Sequence, residues 1–306
     1  MNRSRPRAFA LWSALIGPTR LSSMLFASSM RTVELNSWTE FPQAIADIRD
    51  EFGTRTVDIP DKESVTLDNQ VLFRGQADAD WRLQTTLERA SNSQINVQYY
   101  LQRADSCVNE IESVTGREWN LQSYPDIKKE IETVQDFMRV HLPHYDYLVY
   151  LRHHGFPSPL LDWTTSPYVA AYFAMEPSNE ADRCAVFAFI ETPEGTKGGR
   201  GNSSMIHTHG PYVTTHTRHF AQKAWYTTAT HWDLDANTHT FCSHHDVTPF
   251  SVVTQDVLVK ITIPRRDRIA ALKQLGEYNI NHYTLFQTED ALIRTMGLRA
   301  FDIDGK

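Results

Sequence analysis

Apolar positions in the first half of the chain recur mainly at helical spacing. Phe41, Ile45 and Ile48 are three or four residues apart, which places them on one face of a helix that Ser37 would cap. The same periodicity returns between residues 91 and 150. We therefore predict a helix after Ser37 and interpret residues 91–150 as a helical insert that packs against the rest of the domain.

Continuous apolar runs, which are typical of buried strands, occur mainly in the second half. Three of them predict strands at residues 70–73, 185–190 and 257–263. Helices in the first half and strands spread through the second predict an α+β fold. We expect one domain over residues 30–306, with a mixed or antiparallel sheet and packed helices.

Two helices are predicted to close the chain. They start near Arg265 and Glu289, and their patterns end at Gly276 and Gly297. Glycine is favoured just after a helix because it adopts the left-handed conformation without strain. We therefore expect both glycines to be left-handed C-caps.

Charge and composition narrow the function classes. The chain has 306 residues, a net charge of −7 and a pI near 6.0, which argues against a broad basic surface for nucleic acid. Its three cysteines are far apart and form no CxxC pair, which suits a reducing compartment. We expect a cytoplasmic protein without a membrane partner.

Residues 1–29 differ from the rest because they contain arginines but no acidic residue. Their apolar run is too short to span a bilayer, and no convincing signal-peptide cleavage site follows it. We interpret this segment as a disordered tail or an upstream translation start. An export or anchoring segment is the alternative.

A strand-to-helix turn carries the densest group of candidate ligand-binding residues. An extended segment containing Asp162 leads into Thr164, Thr165 and Ser166, and Ser166 precedes Pro167 as the N-cap of a helix. The free N–H groups of the first helical turn, together with these hydroxyls, would suit an anion. The alternative is an ordinary capped helix with Asp162 buried against a cation.

Three motifs in this order resemble the bacterial FRG domain, which is named for its Phe-Arg-Gly. They are LFRGQ at residues 72–76, the His-x-Gly that begins at His153, and PLLDWTTSPYVAAYFA at residues 159–174. Residues 210–227, 256–264 and 280–293 resemble later blocks of the family, so the resemblance extends from about Val33 to Phe301. Arg152 departs from it, because glutamine is expected there, and so do Lys223, Ala224 and Trp225.

The family's layout is similar to that of ADP-ribosyltransferases, and this resemblance implies a set of roles. Arg74 would grip the phosphates of NAD or of another phosphate-bearing ligand, and Gly75 would let the ligand approach the backbone. The cofactor-binding candidates are Arg74, Gly75, His153, Asp162, Thr164, Thr165 and Ser166. We expect Arg74, Asp162, Thr165, Ser166 and Gln222 to converge on one pocket.

The catalytic candidates are Gln222 and Glu289. Gln222 would position the ribose but is not a base, whereas Glu289 would stabilise the positive charge that develops when the nicotinamide bond breaks. A simpler explanation of Glu289 is that it is an acidic residue in the first turn of a helix capped by Thr288.

Two other features carry weaker signals. Residues 242–246 read CSHHD but lack the regular spacing of a metal site, so no metal is expected. The glycine-rich segment 195–201 has neither a strand before it nor a helix after it, which favours a flexible substrate-facing loop or disorder over a phosphate loop.

Two functions remain open. The first is an NAD-using, ADP-ribosyltransferase-like enzyme that modifies a protein or a nucleic acid, as a toxin or an antiviral-defence effector. The second is a non-catalytic module that senses or binds a nucleotide or nucleic acid.

Overall fold

An eight-stranded mixed sheet organises the chain. The computed structural model describes residues 30–58, 63–91, 95–133, 142–193, 204–211, 213, 217–233, 235, 238–245, 247 and 256–303. The strands are β1 (Arg31–Glu34), β2 (Thr54–Val57), β3 (Val65–Asp68), β4 (Val71–Gln76), β5 (Leu161–Thr164), β6 (Arg183–Ile190), β7 (Met205–His209), β8 (Ala224–Asp233), β9 (Thr238–Phe241) and β10 (Val257–Pro264).

The strand order of the large sheet is β1-β10-β6-β4-β5-β8-β7, and β9 also pairs with β8. Strand β1 is parallel to β10, and the other pairs are antiparallel. Strands β2 and β3 form a separate antiparallel hairpin. The α+β class and the mixed sheet are thus confirmed.

Helices surround this sheet. They are α1 (Phe41–Phe52), α2 (Thr86–Ala90), α3 (Val97–Asp105), α4 (Val108–Thr115), α5 (Tyr124–Thr133), α6 (Tyr145–His153), α7 (Pro167–Met175), α8 (Thr217–Ala221), α9 (Arg268–Glu277), α10 (His282–Phe286) and α11 (Glu289–Gly297). Short 3₁₀ helices span Trp38–Glu40 and Arg265–Asp267, and a π-helix spans Leu298–Ile303. No described helix is long and apolar enough to cross a membrane.

The main core lies between the sheet and helices α1, α7 and α9. Phe41, Ile45 and Ile48 are buried in it, as their helical spacing predicts. Ser37 caps the short 3₁₀ turn that leads into α1, where it accepts the N–H of Thr39. A second core forms where helices α3, α5 and α6 of the helical insert pack against β8 and β9.

The predicted left-handed C-caps are wrong. Gly276 and Gly297 lie inside α9 and α11, and neither has a positive φ. The first of these helices is preceded by the 3₁₀ turn at Arg265, so regular α-helix starts only at Arg268. Since each helix continues to its glycine, neither glycine needs the left-handed conformation.

Strands β4 and β5 are neighbours for only one residue pair. Phe73 lies opposite Thr164, and beyond this pair the two strands diverge. Both strands keep long antiparallel pairings on their other sides, β4 with β6 and β5 with β8. The sheet is therefore split, and the gap has a polar strand segment on each side.

Residues 1–29 and 195–201 lie outside the described part of the chain.

Candidate ligand-binding cavity

A cavity of about 390 Å³ lies at the split between β4 and β5. This volume falls within the range of small-molecule sites. It is lined by Phe73, Arg74, Gly75, Arg152, His153, Asp162, Trp163, Thr164, Ala170, Phe173, Arg218, Gln222, Ala224, Tyr226 and Phe286. Three of these residues are arginines and one is a carboxylate, so the lining carries an excess of positive charge.

Arg74 points from β4 across the gap to β5. Its Nη1 donates to the backbone oxygen of Asp162 at 2.8 Å and lies 3.8 Å from the carboxylate Oδ2 of Asp162. Its Nε is buried and has no hydrogen-bond partner among the described residues. One nitrogen is thus fixed to the backbone, while the edge formed by Nε and Nη2 makes no hydrogen bond within the described structure. In arginine side chains generally, an edge of this kind can bind an oxyanion in a bidentate fashion.

Arg152 at the end of α6 is the closest cation to Asp162. Its Nε donates to Oδ1 at 3.3 Å, and its Nη2 donates to Oδ2. Its remaining nitrogen, Nη1, donates to Thr86 Oγ1 at 2.8 Å. All three nitrogens of Arg152 therefore have protein partners, and the residue acts as a clamp for Asp162.

Asp162 and Arg74 both stay charged at neutral pH. Burial opposes ionisation of Asp162, but Arg152 and then Arg74 outweigh it and hold the pKa of the carboxyl below its usual range. Burial lowers the pKa of Arg74 to about 10, although Asp162 opposes the shift. Arg74 remains a cation at pH 7, and it is less well solvated than a surface arginine.

A hydrogen-bond chain runs from the cavity into the protein. His153 Nε2 lies 2.9 Å from Tyr226 Oη, which lies 3.3 Å from His219 Nδ1. His219 Nε2 lies 2.8 Å from the carbonyl oxygen of Pro211, so this nitrogen carries the hydrogen. Burial lowers the pKa of His219, and the neutral ring accepts the Tyr226 hydroxyl at Nδ1. Tyr226 Oη is then left to accept from His153 Nε2, which fixes the orientation of the His153 ring.

An apolar wall lies on the side of the cavity formed by α7 and α10. Phe173 and Phe286 contact each other edge to face, with ring centroids 6.1 Å apart. The guanidinium carbon of Arg218 lies 5.8 Å from the centroid of Phe286. The cavity therefore offers both aromatic surface and positive charge to one ligand.

Gln222 and Thr164 both line the cavity and are joined by a hydrogen bond. Thr164 Oγ1 donates to the backbone oxygen of Gln222 at 2.7 Å and accepts the N–H of Ser166 at 3.0 Å. The amide nitrogen of Gln222 donates to the backbone oxygen of Leu285 at 3.1 Å. This last bond ties the turn before β8 to α10, and it leaves the carboxamide oxygen of Gln222 for other partners.

The expected convergence on one pocket holds for Arg74, Asp162 and Gln222, but not for Thr165 and Ser166. Thr165 lines a different cavity of about 300 Å³ beside Gly53 and Asn69. Ser166 is the N-cap of α7 and accepts the N–H of Val169 at 3.3 Å. The hydroxyl of Ser166 thus caps the helix, and that of Thr164 bonds to Gln222 and to the N–H of Ser166, which leaves fewer free donors for an anion than the sequence pattern indicated.

His153 lines the cavity, whereas Glu289 does not. Glu289 is exposed in the first turn of α11, where Thr288 is the N-cap and accepts the N–H of Ala291 at 3.2 Å. The helix-capping explanation describes this position fully, and a catalytic role for Glu289 stays a prediction.

The reason for glycine at position 75 is helix packing. A Cβ atom at Gly75 would lie 1.9 Å from the backbone oxygen of Ala170 and 2.7 Å from the nitrogen of Ala174. Any side chain here would collide with the backbone of α7. Gly75 also lines the cavity, and the approach of a ligand to its backbone stays a prediction.

Sequence reasoning missed Arg152, Arg218, Tyr226 and the aromatic wall. Arg152 gave a signal, since it departs from the glutamine expected before the first histidine. Tyr226 lies two residues after the anomalous Ala224 but gave no signal. These residues reach the cavity from five separate elements, α6, α7, α8, β8 and α10, so only the fold brings them together.

The model of the FRG domain family matches residues 69–183. This segment contains Arg74, Arg152, His153 and Asp162, and it ends before Gln222. The match supports the resemblance to the FRG family for the segment that builds the charged side of the cavity. No curated protein and no solved structure matches the chain.

Proposed function

We propose that this protein binds a phosphate-bearing nucleotide in the cavity between β4 and β5. NAD is the ligand that the ADP-ribosyltransferase-like layout suggests. The proposal rests on the unpaired edge of Arg74, whose Nε is buried without a partner among the described residues. A buried donor without a partner is costly, and the oxygens of a phosphate would satisfy two donors of this edge at once.

The rest of the lining supports a nucleotide over inorganic phosphate. Phe173 and Phe286 provide the aromatic surface on which a planar ring packs, and Arg218 adds a cation beside it. A phosphate alone would use only the charged side of the cavity. A nucleotide would use both sides.

We further propose transfer of ADP-ribose from NAD to a protein or nucleic acid as the reaction. In this reaction the bond between the ribose and the nicotinamide nitrogen breaks, and nicotinamide leaves with the electron pair. An acceptor then forms a bond to the same ribose carbon and loses its proton. The ionised Asp162 supports this proposal, because a carboxylate stabilises the positive charge that develops on the ribose. A role as a toxin or antiviral-defence effector belongs to the same proposal.

A non-catalytic nucleotide-binding module is the second candidate. The observation that favours it is the full engagement of Arg152 with Asp162, the only carboxylate among the described residues that line the cavity. A carboxylate with a lowered pKa is a poor proton acceptor for an attacking nucleophile. The site would then hold its ligand without cleaving it.

Two measurements separate these candidates. Titration calorimetry of the full chain with NAD, ADP-ribose and inorganic phosphate tests binding, and we expect both nucleotides to bind more tightly than phosphate. Incubation with NAD labelled in the adenine ring, in the presence of cell extract, tests transfer, and released nicotinamide is measured in parallel. Binding without label transfer or nicotinamide release supports the module. If neither NAD nor ADP-ribose binds, both candidate functions are contradicted.

A further inference from the structure

The two arginines nearest to Asp162 differ in how many donors they have left. Arg152 uses Nε and Nη2 on the carboxylate of Asp162 and Nη1 on Thr86. Arg74 instead uses one nitrogen on the backbone of Asp162. Arg152 is therefore committed to holding the carboxylate in place, and Arg74 is the arginine with donors for a ligand.

Asp162 itself keeps unused acceptor capacity. A carboxylate offers about four lone-pair positions, and Arg152 occupies one on each oxygen. The side chain of Asp162 is still 40% exposed, and the residue lines the cavity. The clamp thus presents a fixed, ionised acceptor to whatever occupies the cavity.

This acceptor lies close to the guanidinium group of Arg74, on the side of Nη1, the nitrogen that is not part of the anion-binding edge. Arg74 Nη1 and Asp162 Oδ2 are 3.8 Å apart. A simple anion on Arg74 is repelled by the neighbouring carboxylate, whereas an anion with a nearby hydroxyl donates a hydrogen bond to it. In a nucleotide, the sugar carries hydroxyls close to the phosphate.

We propose that Asp162 accepts hydrogen bonds from the sugar hydroxyls of the ligand, and that the cavity thereby selects ribonucleotides over deoxyribonucleotides. The proposal rests on the proposed binding of a nucleotide and identifies the group that recognises its sugar. Asp162, held by Arg152, is the specificity-determining residue. Glu289 has no part in it.

The test compares ligands that differ by one hydroxyl. Calorimetry measures the Kd of the full chain for AMP and nicotinamide mononucleotide, for their 2′-deoxy and 3′-deoxy forms, and for inorganic phosphate. For at least one nucleotide, we expect loss of the 2′-hydroxyl to weaken binding about 10- to 100-fold, as is typical of a lost hydrogen bond to a charged group. This comparison needs no variant, so it remains decisive even if a variant does not fold.

Asp162→Asn tests the residue directly. We expect this variant to lose most of the preference for the ribose form, while its affinity for inorganic phosphate is unchanged or higher because the repelling charge is gone. Asp302→Asn is the matched control: Asp302 also pairs with an arginine, Arg268, at 3.0 Å, and its side chain is 39% exposed, but it does not line the cavity. The control variant should keep the full preference.

The possible outcomes are distinct. Tight binding of ribose and deoxyribose forms alike by the wild-type chain overturns this inference and leaves the proposed function in place. Retention of the ribose preference in a folded Asp162→Asn variant also overturns it, because another group then reads the sugar. If no nucleotide binds to the wild-type chain, the proposed function fails and this inference fails with it.

Discussion

Replacement of Arg74 by lysine separates a ligand-binding role from a structural one. Lysine keeps the positive charge but replaces a planar group with five N–H donors by a single ammonium. In the wild-type chain, Nη1 of Arg74 is fixed to the backbone oxygen of Asp162, while the edge formed by Nε and Nη2 makes no hydrogen bond within the described structure. Arg74→Lys therefore removes the bidentate edge.

The expected effects on binding and on folding differ in size. Loss of one charge-assisted hydrogen bond to a phosphate costs about 1.5–3 kcal/mol, which corresponds to a Kd increase of about 10- to 150-fold. The free energy of unfolding should fall by no more than about 1.5 kcal/mol, since the substitution removes one guanidinium hydrogen bond to the backbone but keeps a positive charge near Asp162. Arg152, which makes the direct hydrogen bonds to the carboxylate, stays in place.

Calorimetry with ADP-ribose and urea denaturation of the same samples measure the two effects. Arg31→Lys is the control for the substitution itself, because Arg31 is an exposed arginine paired with Glu51 and does not line the cavity. Arg152→Met is the complementary variant. It leaves Asp162 with Arg74 as its nearest cation, at 3.8 Å, and should cost about 2–3 kcal/mol of stability, less than for a fully buried pair because Asp162 is partly exposed.

The reasoning would be refuted if Arg74→Lys lost several kcal/mol of stability while the folded fraction kept its affinity for ADP-ribose. Arg74 would then serve the core, and the cavity would have lost the residue on which the nucleotide proposal depends. An equal loss of affinity in Arg31→Lys would also remove the support, since the effect would not be specific to the cavity.

Two further predictions concern stability. Gly75→Ala should destabilise the protein by at least about 2–3 kcal/mol in urea denaturation, because its Cβ would lie 1.9 Å from the backbone oxygen of Ala170. Gly276→Ala is the control and should be neutral or stabilising, because no atom lies within 4 Å of its Cβ. Equal effects of the two substitutions would contradict the packing argument. Burial and then Arg74 lower the pKa of His244 to about 3 in the folded protein. Between pH 6.5 and 3, His244 therefore binds a proton in the unfolded chain but not in the folded one. The free energy of unfolding should decrease by up to about 1.4 kcal/mol for each pH unit as the pH falls through this window. Denaturation at pH 7 and pH 5 measures this slope, and a His244→Gln variant with an unchanged slope would assign it to other groups.

Local features of the fold were predictable from the sequence because neighbouring residues decide them. The spacing of Phe41, Ile45 and Ile48 defines one helical face, and these residues are buried as predicted. Ser166 and Pro167 begin α7, because an N-cap hydroxyl and a fixed proline φ act within a single turn. Glycine positions were less predictable: α9 and α11 run through Gly276 and Gly297.

The candidate site required the tertiary structure. The sequence singled out Arg74, His153 and Asp162, but it assigned Thr165 to the same cavity and omitted Arg152. The side chains of consecutive residues in an extended segment point to opposite faces, so a motif with several adjacent hydroxyls cannot direct all of them into one cavity. Thr165 accordingly faces another cavity.

The sequence by itself determined several of the helical and extended segments, such as α1 and β6, and the residue types that suit a phosphate. Only the tertiary structure decided which charges neutralise one another. Arg152 and Asp162 are ten residues apart on a helix and a strand, and their pairing leaves Arg74, on a third element, with donors for a ligand. Charge pairing depends on distances of a few ångströms between elements, and local sequence patterns do not encode those distances.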